Sequence, residues 1–185
     1  HRDVKPENIW VGNFGEVILL DWGVSKVWGQ PDFDHDLERE ESSDESAEWQ
    51  VNSLATPDGE QYRNLEALTQ TGQRFGTPLY MSPEQVNGRL QIDERTDIFS
   101  MGVLIYEMLT FKEPFRGHNV IETFKRILYS TPKLPSELRP EAGIPKSLDE
   151  LVMKAISKKP DDRYPSMVSM LHDLRVARTT LESRG

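Results

Sequence analysis

Two short apolar runs near the start of the chain lie on either side of a turn signal. Residues 9–11 and 17–20 flank Gly12-Asn13-Phe14-Gly15. Short apolar runs separated by a Gly/Asn cluster are typical of a β-hairpin. We therefore expect two antiparallel strands here, the second of which ends at Asp21-Trp22-Gly23.

Further along, apolar positions recur at helical spacing. The run from Asp97 to Leu109 is apolar nearly all round, which is typical of a helix that is buried on every side. Three more helices are predicted by apolar positions three or four residues apart. Their apolar positions are Val120, Ile121, Phe124, Ile127 and Leu128 in the first, Leu148, Leu151, Val152 and Ala155 in the second, and Met167, Leu171, Leu174 and Leu181 in the last.

Helix-start signals precede two of the predicted helices. Ser82-Pro83-Glu84-Gln85 predicts a capping box, with Pro83 at the first helical position and Gly88 closing a short helix. Ser147-x-x-Glu150 predicts a second capping box. The prolines of residues 131–140 predict a loop between helices, because proline cannot continue a helix.

The net charge of −9 is concentrated in one segment. Residues 32–48 hold nine Asp or Glu residues and a single Arg, so the remainder is nearly neutral. This distribution speaks against a nucleic-acid-binding surface, which needs clustered Lys and Arg. Such an acidic run buries too little apolar surface to order itself, so we expect residues 32–62 to form a mobile insertion. Whether it is a solvated linker or an autoinhibitory or docking element stays open.

Composition narrows the class of protein further. The 185 residues are 36% apolar and include no Cys, which excludes a disulfide framework and a Cys-based metal site and fits a reducing compartment. No apolar run approaches the roughly 20 residues of a membrane span. We expect a cytoplasmic protein, although a longer parent could be anchored through another segment.

The first eight residues, His1-Arg2-Asp3-Val4-Lys5-Pro6-Glu7-Asn8, place a carboxylate, an ammonium and an amide at close spacing. They resemble the catalytic loop of protein kinases, an H-R-D followed five residues later by Asn. The resemblance implies that Asp3 accepts the proton or hydrogen bond of a substrate hydroxyl and that Lys5 faces the γ-phosphate of ATP. It also implies that Asn8 offers an oxygen to Mg²⁺.

Asp21-Trp22-Gly23 resembles the D-F-G motif of the same family, whose Asp holds the Mg²⁺ that bridges the ATP phosphates. Asp21 is therefore the second expected metal ligand. Trp22 departs from the usual Phe but keeps a large ring, which we expect to pack beside His1.

Residues 68–85 resemble the end of a kinase activation segment, with Ser82-Pro83-Glu84 in the place of A-P-E. The resemblance is closest to eukaryotic-like bacterial serine/threonine kinases. It implies that Thr69 and Thr71 are autophosphorylation sites and that Thr77 bridges Asp3 and Lys5. Arg2 and Lys26 are the cations expected to receive the phosphate.

Three structural residues follow from the same resemblance. Glu84 is expected to pair with the distant Arg163, and Asp97, at the start of the central helix, is expected to hold the backbone of the catalytic loop. For Asp97 a simpler alternative stays open, namely a carboxylate that is favoured by the helix dipole.

The sequence thus predicts a mainly α chain that resembles a protein-kinase C-terminal lobe, starting at the catalytic loop and without the nucleotide-covering lobe. We expect residues 1–31 to carry the catalytic loop, hairpin and D-W-G motif, 32–62 the insertion, and 63–182 the remaining helical lobe. The implied function is transfer of the ATP γ-phosphate to Ser/Thr hydroxyls of proteins, with Mg²⁺ and under activation-loop control.

Several further expectations accompany this interpretation. The partners are protein substrates and ATP, without nucleic acid, and a dimer for trans-autophosphorylation stays open. The piece alone is expected to be inactive. The alternative function is a catalytically silent kinase-fold scaffold, for which loss of Asp3, Asn8 or Asp21 would be the expected signature; all three are present.

Overall fold

The structure, a computed structural model, describes residues 1–25, 78–88 and 92–182. The described chain is mainly α with one small sheet, as the sequence predicts. Its elements are β1 (Ile9–Val11), β2 (Val17–Leu19), α1 (Pro83–Val86), α2 (Arg95–Thr110), α3 (Val120–Tyr129), α4 (Pro135–Leu138), α5 (Lys146–Ala155) and α6 (Met167–Glu182).

The predicted hairpin is confirmed. Strands β1 and β2 are antiparallel, with Ile9 opposite Leu19 and Val11 opposite Val17. At the turn, Gly15 has a φ of 84°, a conformation that glycine adopts without steric cost. The apolar side chains of the strands are largely exposed among the described residues; Val11 and Val17 are 64% and 66% exposed.

Helix α2 lies at the centre of the hydrophobic core. Ile98, Phe99 and Val103 on this helix are fully buried. Its closest neighbour is α5, and a Cβ added at Gly102 would lie only 2.7 Å from the Cβ of Ala155. Glycine at position 102 therefore allows the two helices to approach closely, and α2 becomes a rigid base for the segments bound to its N-terminal half.

The predicted capping box of α1 is confirmed. The Ser82 side chain accepts a hydrogen bond from the Gln85 backbone, and the Gln85 side chain accepts one from the Ser82 N–H. Pro83 occupies the first helical position, and Gly88, with a φ of 61°, follows the helix end. Both ends of this short helix are thus satisfied locally.

The second predicted capping box is wrong. Helix α5 begins at Lys146 because Pro145, with its constrained φ, precedes it and its carbonyl accepts hydrogen bonds from Leu148 and Asp149. Ser147 consequently lies inside the first turn, where its hydroxyl is buried without a partner among the described residues. Glu150 instead forms a surface ion pair with Lys146.

The proline-rich stretch is also more ordered than a plain loop. Pro135 starts α4 and Pro140 starts a short 3₁₀ turn, Pro140–Ala142. Proline cannot continue a helix, but at its first position the missing N–H costs nothing. No helix in the described part of the chain has the length and apolar character needed to cross a membrane.

Candidate active site

The catalytic-loop residues predicted from the sequence come together in one small cluster. The Lys5 ammonium lies 2.6 Å from Asp3 Oδ2, and both side chains are 34% exposed. The Asn8 amide nitrogen donates to Asp3 Oδ2 at 2.9 Å and to the Asp3 carbonyl at 2.8 Å. The carboxylate of Asp3 is therefore held between an ammonium and an amide while remaining open to solvent.

Local backbone structure explains the position of Asn8. Pro6 starts a single 3₁₀ turn, Pro6–Asn8, in which the Asn8 N–H donates to the Lys5 carbonyl at 3.0 Å. The turn brings the Asn8 side chain back over Asp3. Because the amide nitrogen is committed to Asp3, the amide oxygen is the atom that remains for another ligand.

The hairpin brings Asp21 to the same end of the molecule. The Leu20 N–H donates to the Asn8 carbonyl at 2.7 Å, so Asp21 follows directly after the backbone partner of Asn8. Asp21 is exposed, has a left-handed φ of 59°, and accepts a hydrogen bond from the Gly23 N–H at 3.3 Å. The sequence-distant Asn8 and Asp21 are thereby linked through adjacent backbone.

The Asn8 amide oxygen and the Asp21 carboxylate are hard oxygen donors, the ligand type that Mg²⁺ prefers. Mg²⁺ usually binds through one or two protein ligands together with water and substrate phosphates. No group of three or more His, Cys, Asp or Glu side chains suited to a metal occurs within the described ranges. With Asn8 and Asp21 as its protein ligands, Mg²⁺ would need water or phosphate oxygens to complete its coordination.

His1 and Trp22 pack against each other beside the catalytic loop and the end of the hairpin. Their rings pack edge to face, with centroids 4.8 Å apart and planes at 69°. His1 Nε2 lies 2.8 Å from the Leu20 carbonyl, and His1 Nδ1 accepts a hydrogen bond from the Asp3 N–H at 3.3 Å. The expected contact between the two rings is present, and His1 connects the catalytic loop to the end of β2.

Asp97, in the first turn of α2, holds the catalytic-loop backbone. Its Oδ2 accepts from the His1 backbone nitrogen at 2.7 Å, and its Oδ1 accepts from the Arg2 N–H at 2.8 Å. Arg2 has a left-handed φ of 70°, which is uncommon for a residue with a side chain. The carboxylate thus makes long-range contacts, so the helix-dipole alternative does not by itself describe Asp97.

Glu84 and Arg163 form a buried, bidentate ion pair. Arg163 Nη1 and Nη2 lie 2.7 and 2.8 Å from the two Glu84 oxygens, and the exposed side-chain fractions are 0% and 5%. Burial alone raises the pKa of Glu84, but the hydrogen bonds and charge of Arg163, with a hydrogen bond from Thr96, lower it overall. Glu84 is therefore held ionised against its partner.

Three further contacts attach residues 80–84 to α2. The Thr96 hydroxyl donates to Glu84 Oε1 at 2.6 Å, and the Ser100 hydroxyl donates to the Tyr80 carbonyl at 2.8 Å. The Tyr80 hydroxyl donates to Glu107. Burial and this hydrogen bond raise the pKa of Tyr80 well above its ordinary value, so Tyr80 remains a hydrogen-bond donor.

Comparison with known proteins decides the family. The protein kinase domain family matches residues 60–174, more than half of the chain. The chain belongs to the protein kinase domain family. The matched range contains Glu84, Asp97 and Arg163 of this kinase-family chain, while Asp3, Asn8 and Asp21 lie before it. The mainly α structure agrees with the kinase C-terminal lobe that the sequence predicts.

Individual kinases are similar over nearly the whole chain. Serine/threonine-protein kinase PknD of Chlamydia trachomatis serovar D is 35% identical over 176 residues, which cover 95% of this chain and 17% of that protein. The PknD proteins of Chlamydia muridarum and Chlamydia pneumoniae are 34% and 32% identical, over 90% and 94% of this chain. The chain spans about a sixth of the length of these curated relatives.

Four predicted site residues lie outside the described residues, namely Lys26, Thr69, Thr71 and Thr77, as does the acidic stretch 32–62. Sequence reasoning missed the contacts of Thr96, Ser100 and Glu107, and the one between Gln85 and Arg2. Each of these joins distant segments. No local spacing signals them; only the polar positions 96 and 100 on the apolar helix α2 could have indicated them.

Proposed function

We propose that this chain carries the catalytic loop of an ATP-dependent protein serine/threonine kinase, which transfers the γ-phosphate of ATP to Ser or Thr hydroxyls of protein substrates. The observation that carries the proposal is the cluster of Asp3, Lys5 and Asn8. Asp21 directly follows Leu20, whose backbone N–H donates to the Asn8 carbonyl. The PknD relatives, which are named serine/threonine-protein kinases, support the same substrate class.

In this proposal Asp3 orients the acceptor hydroxyl and accepts its proton. Phosphoryl transfer needs little covalent chemistry from the protein, so positioning and charge stabilisation are the main tasks. The bonds from Lys5 and Asn8 orient the Asp3 carboxylate, and its partial exposure leaves an approach for the hydroxyl. Lys5 and Asn8 both bind Oδ2, and none of the described residues donates to Oδ1, which leaves that oxygen available as an acceptor.

Lys5, Asn8 and Asp21 would bind the nucleotide. Lys5 presents a compact positive charge beside Asp3 and would face the γ-phosphate. Asn8 and Asp21 would hold Mg²⁺, which when bound with ATP neutralises charge that develops on the phosphate oxygens. Thr77 is proposed to bridge Asp3 and Lys5, and His1 and Trp22 to support the loop.

Phosphate transfer by the full-length protein tests this function. We expect labelled phosphate from ATP to appear on the protein itself and on a generic basic protein. Asp3→Asn should lower the rate by about 10²–10⁴-fold, because the general base is lost while the shape is kept. Equal labelling by the wild type and Asp3→Asn would remove the enzyme proposal and favour a scaffold that binds without catalysis.

We also propose that phosphorylation of Thr69 or Thr71 regulates the kinase, within one molecule or between two copies. A phosphate carries about −1.5 to −2 charges and accepts charge-assisted hydrogen bonds. The Arg2 guanidinium has no ion-pair partner among residues 1–25, 78–88 and 92–182, and it adjoins the catalytic Asp3. Arg2, together with Lys26, would receive the phosphate and so connect the loop to the catalytic residues.

A further inference from the structure

The side chain of Gln85 joins two segments that lie 83 residues apart. Its amide oxygen accepts hydrogen bonds from the Ser82 N–H at 2.9 Å and the Ser82 hydroxyl at 3.2 Å, which completes the capping box of α1. Its amide nitrogen donates to the Arg2 carbonyl at 2.7 Å. One half of the amide therefore caps a helix, and the other half contacts the catalytic loop.

The capping function alone does not require glutamine. A capping box is completed equally well by Glu or Gln at this position, because only an acceptor oxygen is needed. Glutamate, however, has no donor for the Arg2 carbonyl and would place its negative charge against that oxygen. The bond to Arg2 is thus the contact that distinguishes Gln85 from the alternative capping residue.

Arg2 has a backbone conformation that needs such support. Its φ of 70° lies in the left-handed region, which is unfavourable for a residue with a side chain. Asp97 holds its N–H at 2.8 Å, and Gln85 holds its carbonyl at 2.7 Å. The unfavourable backbone conformation is therefore fixed on both sides, by one contact from α2 and one from α1.

The Arg2 carbonyl belongs to the peptide unit that leads directly into Asp3. The N–H of this unit donates to His1 Nδ1 at 3.3 Å, a long hydrogen bond, whereas the bond to Gln85 is short. Rotation of this peptide unit would move the Asp3 Cα and its carboxylate away from Lys5 and Asn8. Small misplacements of a catalytic group can lower rates by about 10²-fold.

We propose that Gln85 is a positioning residue for Asp3, which couples the end of the activation segment to the catalytic loop through the Arg2 carbonyl. The proposal rests on the proposed kinase function. It adds a direct hydrogen bond between these segments, beside their separate attachments to α2 through Asp97, Thr96 and Ser100. The hydrogen bond between Thr96 and Glu84 attaches α1 to α2, and in this arrangement the Gln85 amide reaches the Arg2 carbonyl.

Two variants of the full-length protein separate the two tasks of Gln85. Gln85→Glu keeps the capping acceptor and removes the donor to Arg2. It should lower kcat about 10- to 100-fold while the KM for ATP and the denaturation midpoint stay close to wild type.

Ser82→Ala removes the hydroxyl of the cap and keeps the Gln85 bond to Arg2. It should lower the denaturation midpoint while kcat at low temperature stays close to wild type.

The outcomes separate this inference from the proposed function. An active wild type with an equally active Gln85→Glu variant would overturn the role of Gln85 and leave the kinase function intact. A wild type no more active than Asp3→Asn would instead overturn the kinase function. If Gln85→Glu does not yield folded protein, Gln85→Ala is measured in its place; wild-type kcat in that variant would overturn the proposal equally.

Discussion

Among single residues, Arg163 makes five side-chain hydrogen bonds although its side chain is fully buried. It binds both Glu84 oxygens and also donates to the carbonyls of Arg95, Ser157 and Lys158. A buried ion pair adds little net stability, since desolvation offsets attraction. Removing one partner is costly, because it leaves the other charge buried and alone.

We therefore expect Arg163→Ala to lower the free energy of unfolding by about 3–5 kcal/mol. Asp161→Asn is the matched control in the same loop. It breaks an ion pair with Arg95 in which the Asp161 side chain is 89% exposed, so its expected cost is about 1 kcal/mol or less. Urea unfolding of the full-length protein compares them, and a loss for Arg163→Ala no larger than for Asp161→Asn would contradict the expectation.

The pH dependence of this contact has a defined sign. The pKa of Glu84 is lower in the folded protein than its ordinary value. Its contribution to stability is therefore fully present above the ordinary pKa that Glu84 has in the unfolded chain, and is lost as the pH falls through the folded pKa. Arg163→Ala removes the guanidinium that is the main cause of the lowered pKa of Glu84. The free energy of unfolding of this variant should therefore fall less on acidification than that of the wild type.

The sequence predicted those residue contacts that carry a recognisable spacing. Asp3 and Asn8 lie within one short loop, so their types and separation already indicate a shared site. The pair of Glu84 with Arg163 was predicted only through resemblance to a family. The bond between Gln85 and Arg2 could not be predicted, because the capping box fully explains a glutamine at position 85 and nothing local marks its second partner.

Among the elements, helix α2 connects the two functional segments. Asp97 in its first turn holds the catalytic loop, while Thr96 and Ser100 hold residues 80–84. Its apolar profile predicted burial on every side, and most of its apolar side chains are buried or partly buried, but Met108 is 67% exposed, so described residues do not cover the whole helix. The start of α5 was harder to predict, because Pro145 and Ser147 both carry helix-start signals and proline, with its constrained φ, set the boundary.

The activation segment is the element on which the proposed regulation depends. Replacing both Thr69 and Thr71 by Ala in the full-length protein should lower its kinase activity about tenfold or more. The reason is that a phosphate to Arg2 would supply at least one charge-assisted hydrogen bond, worth about 1.5–3 kcal/mol. Thr179→Ala, at an exposed threonine of α6, is the control. Unchanged turnover in the double variant would remove the proposed switch.

At the scale of the whole molecule, the candidate site is assembled from segments that are far apart in the chain. The catalytic loop and hairpin supply the polar groups, and α1 and α2 hold the loop in place. Hydrophobic patterning predicted the hairpin and the helices. It did not predict that the apolar side chains of the strands are largely exposed. Val11 and Val17 are apolar yet largely exposed, because no other described element covers the hairpin.

The central claim is that Asn8 and Asp21 bind one magnesium-nucleotide beside Asp3. Binding of ATP to the full-length protein, measured with and without Mg²⁺ for the wild type, Asp3→Asn and Asp21→Asn, tests it most directly. We predict that Asp3→Asn binds Mg-ATP about as tightly as the wild type but transfers phosphate about 10²–10⁴-fold more slowly, while Asp21→Asn binds it at least about tenfold more weakly and loses the effect of Mg²⁺. Wild-type, magnesium-dependent affinity in Asp21→Asn would contradict the claim.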